Sequence, residues 1–498
     1  MESKVISVGQ IYKNNFKADK PVLLFKERRL TYAELDDKVV AFANLLRDKG
    51  VARGDKVVLD AGNSPEFLCV YLGVVRNAAV IVPVNPMLTF SEIQFIAADS
   101  DAKYIVIQEG ILQKLGLTAA TLGEALGIEV IVIDEALLEE AGRAARDDFD
   151  LITDDGEIST FLYTSGTTGQ PKAAMLTHSN LVTNAWQCSV ALETEENDIF
   201  MCVLPMFHVF AFTACILLPL FIGGTTDIVE AFQPKVVVGD LIEKDITVFM
   251  GVPAMYMVLI EAGRNDIHFP KLRLAISGGA ALPVEVYNQA KENINLPIIE
   301  GYGLTESSPG SVFNPPSGVQ KPGSIGLPLP EVTLIIGGEN DEELPAGEVG
   351  ELLMRGPHIM AGYYKRPADT DETLRNGWLH TGDLAKKDED GYVYIVDRKK
   401  DMIIVAGLNV YPREVEEALY KHPKIKDAAV IGVPDKLRGE TVVAYIVLKD
   451  GEEAHHKEIL RWLKERLAAY KLPRRIEIRE DLPRNSTGKI LKRLLREE

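Results

Sequence analysis

Cysteine is scarce in this sequence. The 498 residues include four cysteines, and none has the C-x-x-C spacing of a zinc or redox site: Cys69, Cys188, Cys202 and Cys215. So few thiols exclude a small scaffold held by disulfides, and we expect buried free thiols in a reducing compartment. Residues 1–4 also lack the start of a signal peptide. The sequence therefore predicts a cytoplasmic protein.

Basic residues are also in short supply. The chain has 54 Lys and Arg against 73 Asp and Glu, which gives a net charge of −19 at pH 7 and a pI near 5.0. Nucleic acids and anionic membranes are bound through clusters of positive charge. The composition therefore argues against both as main partners.

One long apolar run, residues 203–222, has the length of a membrane span. Pro205, His208 and Pro219 interrupt it, and no cationic flank marks an inner end. We interpret it as a buried strand–helix core segment, and we expect no integral membrane segment. Peripheral contact with a membrane and assembly into a homodimer stay open.

The length predicts two to four domains. In the first 150 residues helical and strand patterns alternate, and capping boxes begin helices at Thr31 and Thr89. The same rhythm continues to about residue 305, which indicates parallel sheets covered by helices. From 311 to 397 short strand-like runs among Pro and Gly predict a small β subdomain. A charged cluster at 397–401 then marks the start of an α+β segment, 398–498.

The most informative motif lies at residues 163–172, Y-T-S-G-T-T-G-Q-P-K, after a β-like run. Glycines let a loop approach a ligand closely, hydroxyls add donors, and a terminal lysine suits phosphate. Gly166 and Gly169 are only three residues apart and Lys172 precedes Ala173, so the common P-loop is absent. A solvated Ser/Thr/Gly linker would have the same composition.

Further motifs follow in a fixed order. They are P-M-F-H at 205–208, S-G-G-A at 277–280, E-G-Y-G-L-T-E at 300–306, L-H-T-G-D at 379–383, D-R at 397–398, G-L-N-V-Y-P at 407–412 and N-S-T-G-K at 485–489. Together with the 163–172 loop, they resemble the adenylate-forming superfamily, and most closely the bacterial medium- and long-chain fatty-acid–CoA ligases. The resemblance extends over nearly the whole chain.

This resemblance implies an α/β fold. A large N-terminal domain, 1–397, would contain doubly wound α/β subdomains and the β subdomain, and a small mobile C-terminal domain, 398–498, would turn about Lys400. It also implies an ATP-dependent acyl-CoA synthetase that makes an acyl-AMP with release of pyrophosphate and then transfers the acyl group to CoA. ATP, Mg²⁺, CoA and a small carboxylic acid would be its partners.

The resemblance implies a role for each motif residue. The ATP- and AMP-binding residues would be Thr164, Ser165, Gly166, Thr167, Thr168, Gly169, Lys172, Gly278, Gly279, Ala280, Glu300, Gly301, Tyr302, Gly303, Thr305, Asp383 and Arg398. Tyr302 would stack on adenine, Asp383 and Arg398 would hold the ribose, and Glu306 would hold Mg²⁺. Lys489, Thr305 and His208 would be catalytic. Gly407, Leu408 and Asn409 would form the loop used in the thioester step.

The acid itself is less sharply specified. The pocket positions implied by the resemblance are His208, Val209, Phe210, Met250, Gly251, Val252, Gly278 and Gly303. Apart from His208 they are apolar or glycine, which suits a hydrocarbon tail. We favour a fatty acid. The alternatives are an aryl or short branched-chain acid on the same scaffold, a stand-alone enzyme that acylates a carrier protein, and a nucleotide sensor.

Overall fold

The computed structural model describes residues 7–144, 147–152, 154–164, 170–295, 297–484 and 488–496. Its strands in the first 330 residues are β1 (Pro21–Phe25), β2 (Arg28–Thr31), β3 (Lys56–Asp60), β4 (Val80–Pro83), β5 (Ala102–Gln108), β6 (Glu129–Ile133), β7 (Ile158–Thr164), β8 (Lys172–Thr177), β9 (Ile199–Cys202), β10 (Thr225–Ile228), β11 (Val248–Gly251), β12 (Leu274–Ser277), β13 (Ile298–Gly303), β14 (Gly310–Phe313) and β15 (Leu327–Pro328). The later strands are β16 (Thr333–Gly337), β17 (Gly350–Arg355), β18 (Gly362–Tyr363), β19 (Leu379–Lys387), β20 (Val393–Arg398), β21 (Ile403–Val405), β22 (Leu408–Val410), β23 (Ile425–Asp435), β24 (Gly439–Leu448) and β25 (Arg475–Arg479).

The α-helices cover the faces of these sheets. They are α1 (Tyr32–Asp48), α2 (Pro65–Arg76), α3 (Phe90–Asp99), α4 (Glu109–Lys114), α5 (Ala119–Leu126), α6 (Glu135–Arg143), α7 (His178–Ala191), α8 (Val209–Ala211), α9 (Leu218–Ile222), α10 (Pro234–Glu243), α11 (Pro253–Arg264), α12 (Val284–Asn293), α13 (Pro367–Thr373), α14 (Pro412–Tyr420), α15 (His456–Lys464) and α16 (Lys492–Arg496).

Two large sheets form the body. One has the strand order β18-β8-β7-β4-β3-β5-β6, and its strands from β7 to β6 are parallel. The other has the order β15-β14-β13-β12-β11-β9-β10-β1-β2, and it is parallel from β13 to β1. Val57 of the first sheet and Phe200 of the second belong to one shared core, whereas Val58 and Met201 belong to separate outer cores. Both sheets are therefore covered on both faces, as the sequence predicts.

The carboxyl ends of parallel strands carry the motifs. The chain leaves β7 at Thr164, β11 at Gly251, β12 at Ser277 and β13 at Gly303. In open α/β sheets, ligands bind at this edge. The fold thus gathers segments that are far apart in sequence.

The final two sheets are smaller. β16, β17, β19 and β20 form an antiparallel sheet. β21–β25 form a mixed sheet, antiparallel except for the parallel pair β24 and β25, which has its own core of residues from Ile403 to Ile476. The cores of the body include buried residues up to Val393, so the described cores separate between the two small sheets. The boundary at 397/398 and the β subdomain at 311–397 stay predictions.

Local sequence signals identified several elements correctly. Thr31 and Thr89 form the predicted capping boxes at α1 and α3. All four cysteines are buried and free. The strand predicted within the apolar run at 203–222 instead lies just before it, since β9 ends at Cys202. Inside the run, a π-helical segment, Phe212–Leu217, joins α8 to α9. No helix among the described residues is long and apolar enough to cross a bilayer.

Candidate active site

The predicted phosphate loop connects an antiparallel pair of strands. Thr164 ends β7 opposite Lys172, which begins β8. Ser165, Gly166, Thr167, Thr168 and Gly169 lie outside the described residues. The pairing of Thr164 with Lys172 brings both ends of the loop together. It therefore sets the lysine beside the start of the hydroxyl-rich segment.

Lys172 has two partners that no motif indicated. Its ammonium forms an ion pair with Asp369 of α13, and it lies 5.6 Å from the ring centroid of Tyr363. Tyr363 in turn donates its hydroxyl hydrogen to Glu306 Oε1 over 2.7 Å. Tyr363 thus joins the lysine of the predicted phosphate loop to the predicted metal ligand.

Glu306 and Thr305 lie in a single 3₁₀ turn, Thr305–Ser307, directly after β13. The backbone carbonyl of Glu306 accepts a hydrogen bond from Met360 N–H over 2.9 Å. Its carboxylate accepts the hydrogen bond of Tyr363, whose ring lies beside Lys172. A carboxylate oxygen beside bound phosphate is a ligand that Mg²⁺ prefers, so the donor chemistry fits the predicted ion.

The nucleotide turn is packed too tightly for side chains at its glycines. A Cβ at Gly303 would lie 1.7 Å from the Pro309 carbonyl oxygen, and one at Gly301 would lie 2.1 Å from the Phe313 ring. Such distances are far below van der Waals contact. The spacing of glycines around Tyr302 is therefore required by the fold as well as by the predicted ligand.

Tyr302, Asp383 and Arg398 meet at one point. The Tyr302 hydroxyl donates to Asp383 Oδ2, and Arg398 Nε lies 2.7 Å from Asp383 Oδ1. Burial and the Asp383 carboxylate raise the pKa of Tyr302. Burial opposes the charge of Arg398, but Asp383 together with Tyr302, Asp401 and Glu306 outweighs burial, and the pKa of Arg398 is raised. The three residues predicted to hold the nucleoside therefore form one group, joined by an ion pair and a hydrogen bond.

The small-residue turn follows β12. Gly278 N–H donates to the Gly251 carbonyl over 3.1 Å, and a Cβ at Gly278 would lie 3.1 Å from the Phe210 ring. Gly279 has a φ of +75°, which disfavours other residues. Gly279 and Ala280 are not buried. This turn is therefore a narrow contact between the β11 end and the start of α8.

His208 caps that start of α8. Its Nδ1 accepts a hydrogen bond from Phe210 N–H over 3.3 Å. Burial and the positive charge of Lys489 lower the pKa of His208 to about 4, so the imidazole is neutral at pH 7. His208 and Phe210 keep partial exposure, whereas Val209, Met250, Gly251 and Val252 are buried. An acyl group would thus meet His208 and Phe210 first.

Lys489 reaches this region from the C-terminal segment. A Cβ at its neighbour Gly488 would lie 3.3 Å from Val252. Lys489 lies within electrostatic range of His208, Asp383 and Arg398. Water reaches the lysine, yet protein surrounds it closely enough that burial, together with Arg398, lowers its pKa to about 8. Residues 485–487 of its motif lie outside the described residues.

The predicted thioester loop lies elsewhere. Gly407 has a φ of +83° and, with Ala406 at +51°, forms the two-residue turn between β21 and β22. Positive φ at both positions is typical of a type I′ hairpin. Gly407, Leu408 and Asn409 are exposed, and a Cβ at Gly407 would contact nothing within 4 Å. This arrangement therefore brings Lys489, and not the Gly407 turn, to the cleft. The predicted hinge, Lys400, is exposed as well.

Glu300 faces the C-terminal domain. Its Oε1 accepts Leu282 N–H over 3.1 Å and lies 3.7 Å from Arg413 Nη2. Burial raises the pKa of Glu300 to about 7, although Arg413 opposes this shift. Sequence reasoning placed Glu300 with the nucleotide and missed Arg413, Tyr363 and Asp369. The sequence offered one signal for Arg413, namely that it directly follows the 407–412 motif.

The chain resembles known proteins over nearly its whole length. The AMP-binding enzyme family matches residues 12–364, and the AMP-binding enzyme C-terminal domain matches residues 414–489. The chain is 34% identical to the long-chain-fatty-acid–CoA ligase of Bacillus subtilis (strain 168), with 96% of this chain and 92% of that protein covered. It is 37% identical to the feruloyl-CoA synthase of an Amycolatopsis species, with 93% and 92% covered.

A solved structure resembles the whole fold. The anthranilate CoA ligase AuaEII in complex with anthranoyl-AMP superposes with a TM-score of 0.93 at 27% identity, and the match covers 99% of this chain and 97% of that one. That protein is a CoA ligase, and the molecule bound to it is an acyl-adenylate. The chain belongs to the AMP-binding enzyme family, the adenylate-forming enzymes, and it is an acyl-CoA ligase.

Proposed function

We propose that this ligase activates a fatty acid. The observation that carries the proposal is the position of Lys489, within electrostatic range of both the Asp383–Arg398 pair and His208, which lies beside the apolar segment. A group there can contact a carboxylate and an α-phosphate together. The apolar character of Val209, Phe210 and Val252 supports a hydrocarbon tail behind the carboxylate.

In the proposed first step, a carboxylate oxygen of the acid attacks the α-phosphorus of ATP, and pyrophosphate leaves. The acid is already ionised at pH 7, so no general base is needed. Lys489 would hold the carboxylate and the α-phosphate, and Lys172 would leave Asp369 to bind the departing phosphates. Fixed cations placed where negative charge develops stabilise a transition state.

Glu306 is the residue that we propose for Mg²⁺. Among the described residues, no cluster of three or more His, Cys, Asp and Glu side chains could hold a metal by itself. Mg²⁺ commonly combines one or two carboxylates with substrate phosphates, and Glu306 supplies such a carboxylate. When bound, the ion would neutralise phosphate charge. Tyr363 would orient the Glu306 carboxylate through its 2.7 Å hydrogen bond.

In the proposed second step, the CoA sulfur attacks the acyl carbonyl carbon, the thiol proton passes to solvent, and AMP leaves. Gly407 would admit the pantetheine arm because its turn carries no side chain. That turn is exposed here while Lys489 lies in the cleft. We therefore propose that the C-terminal domain turns about Lys400 between the two steps.

An aryl acid is the second candidate. The feruloyl-CoA synthase of Amycolatopsis is 37% identical over most of the chain, and the Phe210 ring lies at Gly278 where an aromatic acid could stack. A carrier-protein substrate or a sensor role has weaker support, because the residues for both half-reactions are present. The four buried thiols support a cytoplasmic location.

The test is pyrophosphate release with hexanoate, laurate, palmitate, benzoate and ferulate, each with and without CoA. We expect the highest kcat/KM with laurate or palmitate, and AMP formation that depends on CoA. Preference for ferulate or benzoate would favour the aryl reading. Release with none of these acids would contradict both.

A further inference from the structure

The first turn of α14 connects the C-terminal domain to the body through Arg413. Arg413 N–H donates to Asp397 Oδ2 over 2.8 Å, which fixes the start of the helix. Its guanidinium extends across to the body. Nη1 donates to the Ile395 carbonyl over 3.0 Å, and Nη2 lies 3.7 Å from Glu300 Oε1. The side chains of Arg413 and Glu300 are only 14% and 6% exposed, so water screens this contact weakly.

Glu300 belongs to the nucleotide side of the interface. It lies in β13 and directly precedes the Gly301–Gly303 turn that carries Tyr302. Leu282 N–H holds its Oε1, and its Oε2 is buried without a hydrogen-bond partner. A buried carboxylate depends on its few partners, since removal of a partner leaves an uncompensated charge. Arg413 is the cation that faces it.

A second contact lies one helical turn further along α14. The Glu417 carboxylate faces the backbone N–H of Val284, at the N-terminus of α12. Residues i and i+4 share one face of a helix. Arg413 and Glu417 therefore present one α14 face to the body, and the body offers Glu300, Ile395 and Val284 to it.

We propose that Arg413 is the positioning residue that holds the C-terminal domain in the arrangement that delivers Lys489, and that Glu300 links this contact to the nucleotide turn. The inference rests on the proposed two-step function. Lys489 acts on the adenylate from the same domain, so its position depends on how firmly that domain is held. By reciprocity, nucleotide that orders the Tyr302 turn should also favour the docked domain.

Arg413 should therefore matter to one half-reaction only. In Arg413→Met we expect acyl-AMP formation in a single turnover to fall about 10- to 100-fold, because the Lys489 arrangement loses population. Thioester formation from supplied acyl-AMP and CoA should change by less than about twofold, since that step needs the other arrangement. Arg413→Lys should restore part of the first rate because it keeps a charge but loses the planar fork.

The matched control is Arg461→Met, an exposed arginine of α15 in the same domain, which should leave both half-reactions unchanged. Glu300→Gln, which keeps the shape of Glu300, should slow adenylation by less than Arg413→Met does. The Arg413→Met/Glu300→Gln double variant should be less impaired than the product of the single effects. Should Arg413→Met fail to fold, Arg413→Lys and Glu300→Gln decide the matter through the same ratio of half-reactions.

Equal loss in both half-reactions, or unchanged adenylation in Arg413→Met, would overturn the inference. A wild-type enzyme that forms no acyl-AMP from any acid of the panel would instead contradict the proposed function. The two failures are therefore distinguishable.

Discussion

The two predicted domains carry opposite charge. Residues 1–397 contain 31 Lys and Arg against 56 Asp and Glu, a net charge of −25, whereas residues 398–498 contain 23 against 17, a net charge of +6. ATP and CoA are polyanions, so the field of the body opposes their approach. The positively charged residues 398–498 can offset the negative field of residues 1–397 where the two parts of the chain meet.

The cleft shows how this compensation is made. Lys172 is the body cation beside Glu306, and it is already paired with Asp369. Arg398, at the end of β20, and Lys489, from the C-terminal segment, both lie within range of Asp383. The difference teaches that the body supplies shape, apolar surface and the cations Lys172 and Arg398, while the C-terminal segment adds the charge of Lys489. The predictions below break or sharpen that division.

Removal of the positive charge of Lys489 should have the largest effect on the rate of adenylation. In Lys489→Ala we expect adenylation to fall about 10²–10³-fold, the usual loss when one preorganised electrostatic group is removed from an active site. Thioester formation from supplied acyl-AMP should stay within a few-fold of wild type. Single-turnover assays of each half-reaction measure both rates, with the exposed Lys436→Ala as control. Equal losses in the two steps would contradict the division.

The Gly407 turn should give the reverse result. We expect Gly407→Leu to slow thioester formation about tenfold or more and to leave adenylation nearly intact, because a Cβ there contacts nothing within 4 Å in the present arrangement. A leucine at positive φ costs roughly 1–2 kcal/mol wherever it lies. Gly451→Leu has the same strain, φ +79° in open space, and serves as the control. A similar loss of the thioester rate in both variants would show that backbone strain, and not the position of Gly407, causes the loss.

Alkaline pH should remove the positive charge of Lys489 without a mutation. The pKa of Lys489 is lowered to about 8, chiefly by burial, so the free enzyme loses this charge as the pH rises through 8. We expect kcat/KM for adenylation to fall up to tenfold for each pH unit above that value. Arginine stays charged, so a partly active Lys489→Arg enzyme should show no such decline. A decline of the same shape in Lys489→Arg would assign it to another group.

The smallest effect concerns a buried acid of the body. Asp60 ends β3, has no exposed surface, and neither carboxylate oxygen has a hydrogen-bond partner. Burial raises its pKa to about 7. The folded state therefore holds this proton longer than the unfolded state does, and stability falls as the pH rises through 4 to 7.

Asp60→Asn removes this dependence. Between pH 6 and pH 8 wild type should lose about 1 kcal/mol of unfolding free energy relative to the variant. Urea unfolding at the two pH values measures the difference, with the exposed Asp19→Asn as control. A constant difference between wild type and Asp60→Asn would show that Asp60 is ionised throughout.

Much of the fold could be predicted because its signals are local. Capping boxes at Thr31 and Thr89 depend on residues three apart, and buried parallel strands appear as short apolar runs. Several motifs lie close together because the carboxyl ends of parallel strands share one edge. Asp383 and Arg398 instead face each other on the antiparallel pair β19 and β20, and Tyr302 joins them through its hydrogen bond to Asp383.

The parts that could not be predicted depend on long-range pairing. Lys172 meets Asp369 from 197 residues away, and Tyr363 reaches Glu306 from 57 residues away. Neither Asp369 nor Tyr363 stands in a motif, and a charged or aromatic residue alone does not indicate its partner. The contact of Arg413 with Glu300 also depends on how two separate cores dock, which periodicity does not encode.

Movement of the C-terminal domain can be measured directly by electron–electron distance measurements. All native cysteines are buried, so spin labels at Val319→Cys in the body and Leu437→Cys in the C-terminal domain would be selective, since those residues are 67% and 94% exposed. The account predicts one distance with ATP and a second, different distance with a non-hydrolysable acyl-adenylate analogue plus CoA. A single distance that stays unchanged in both states would contradict it.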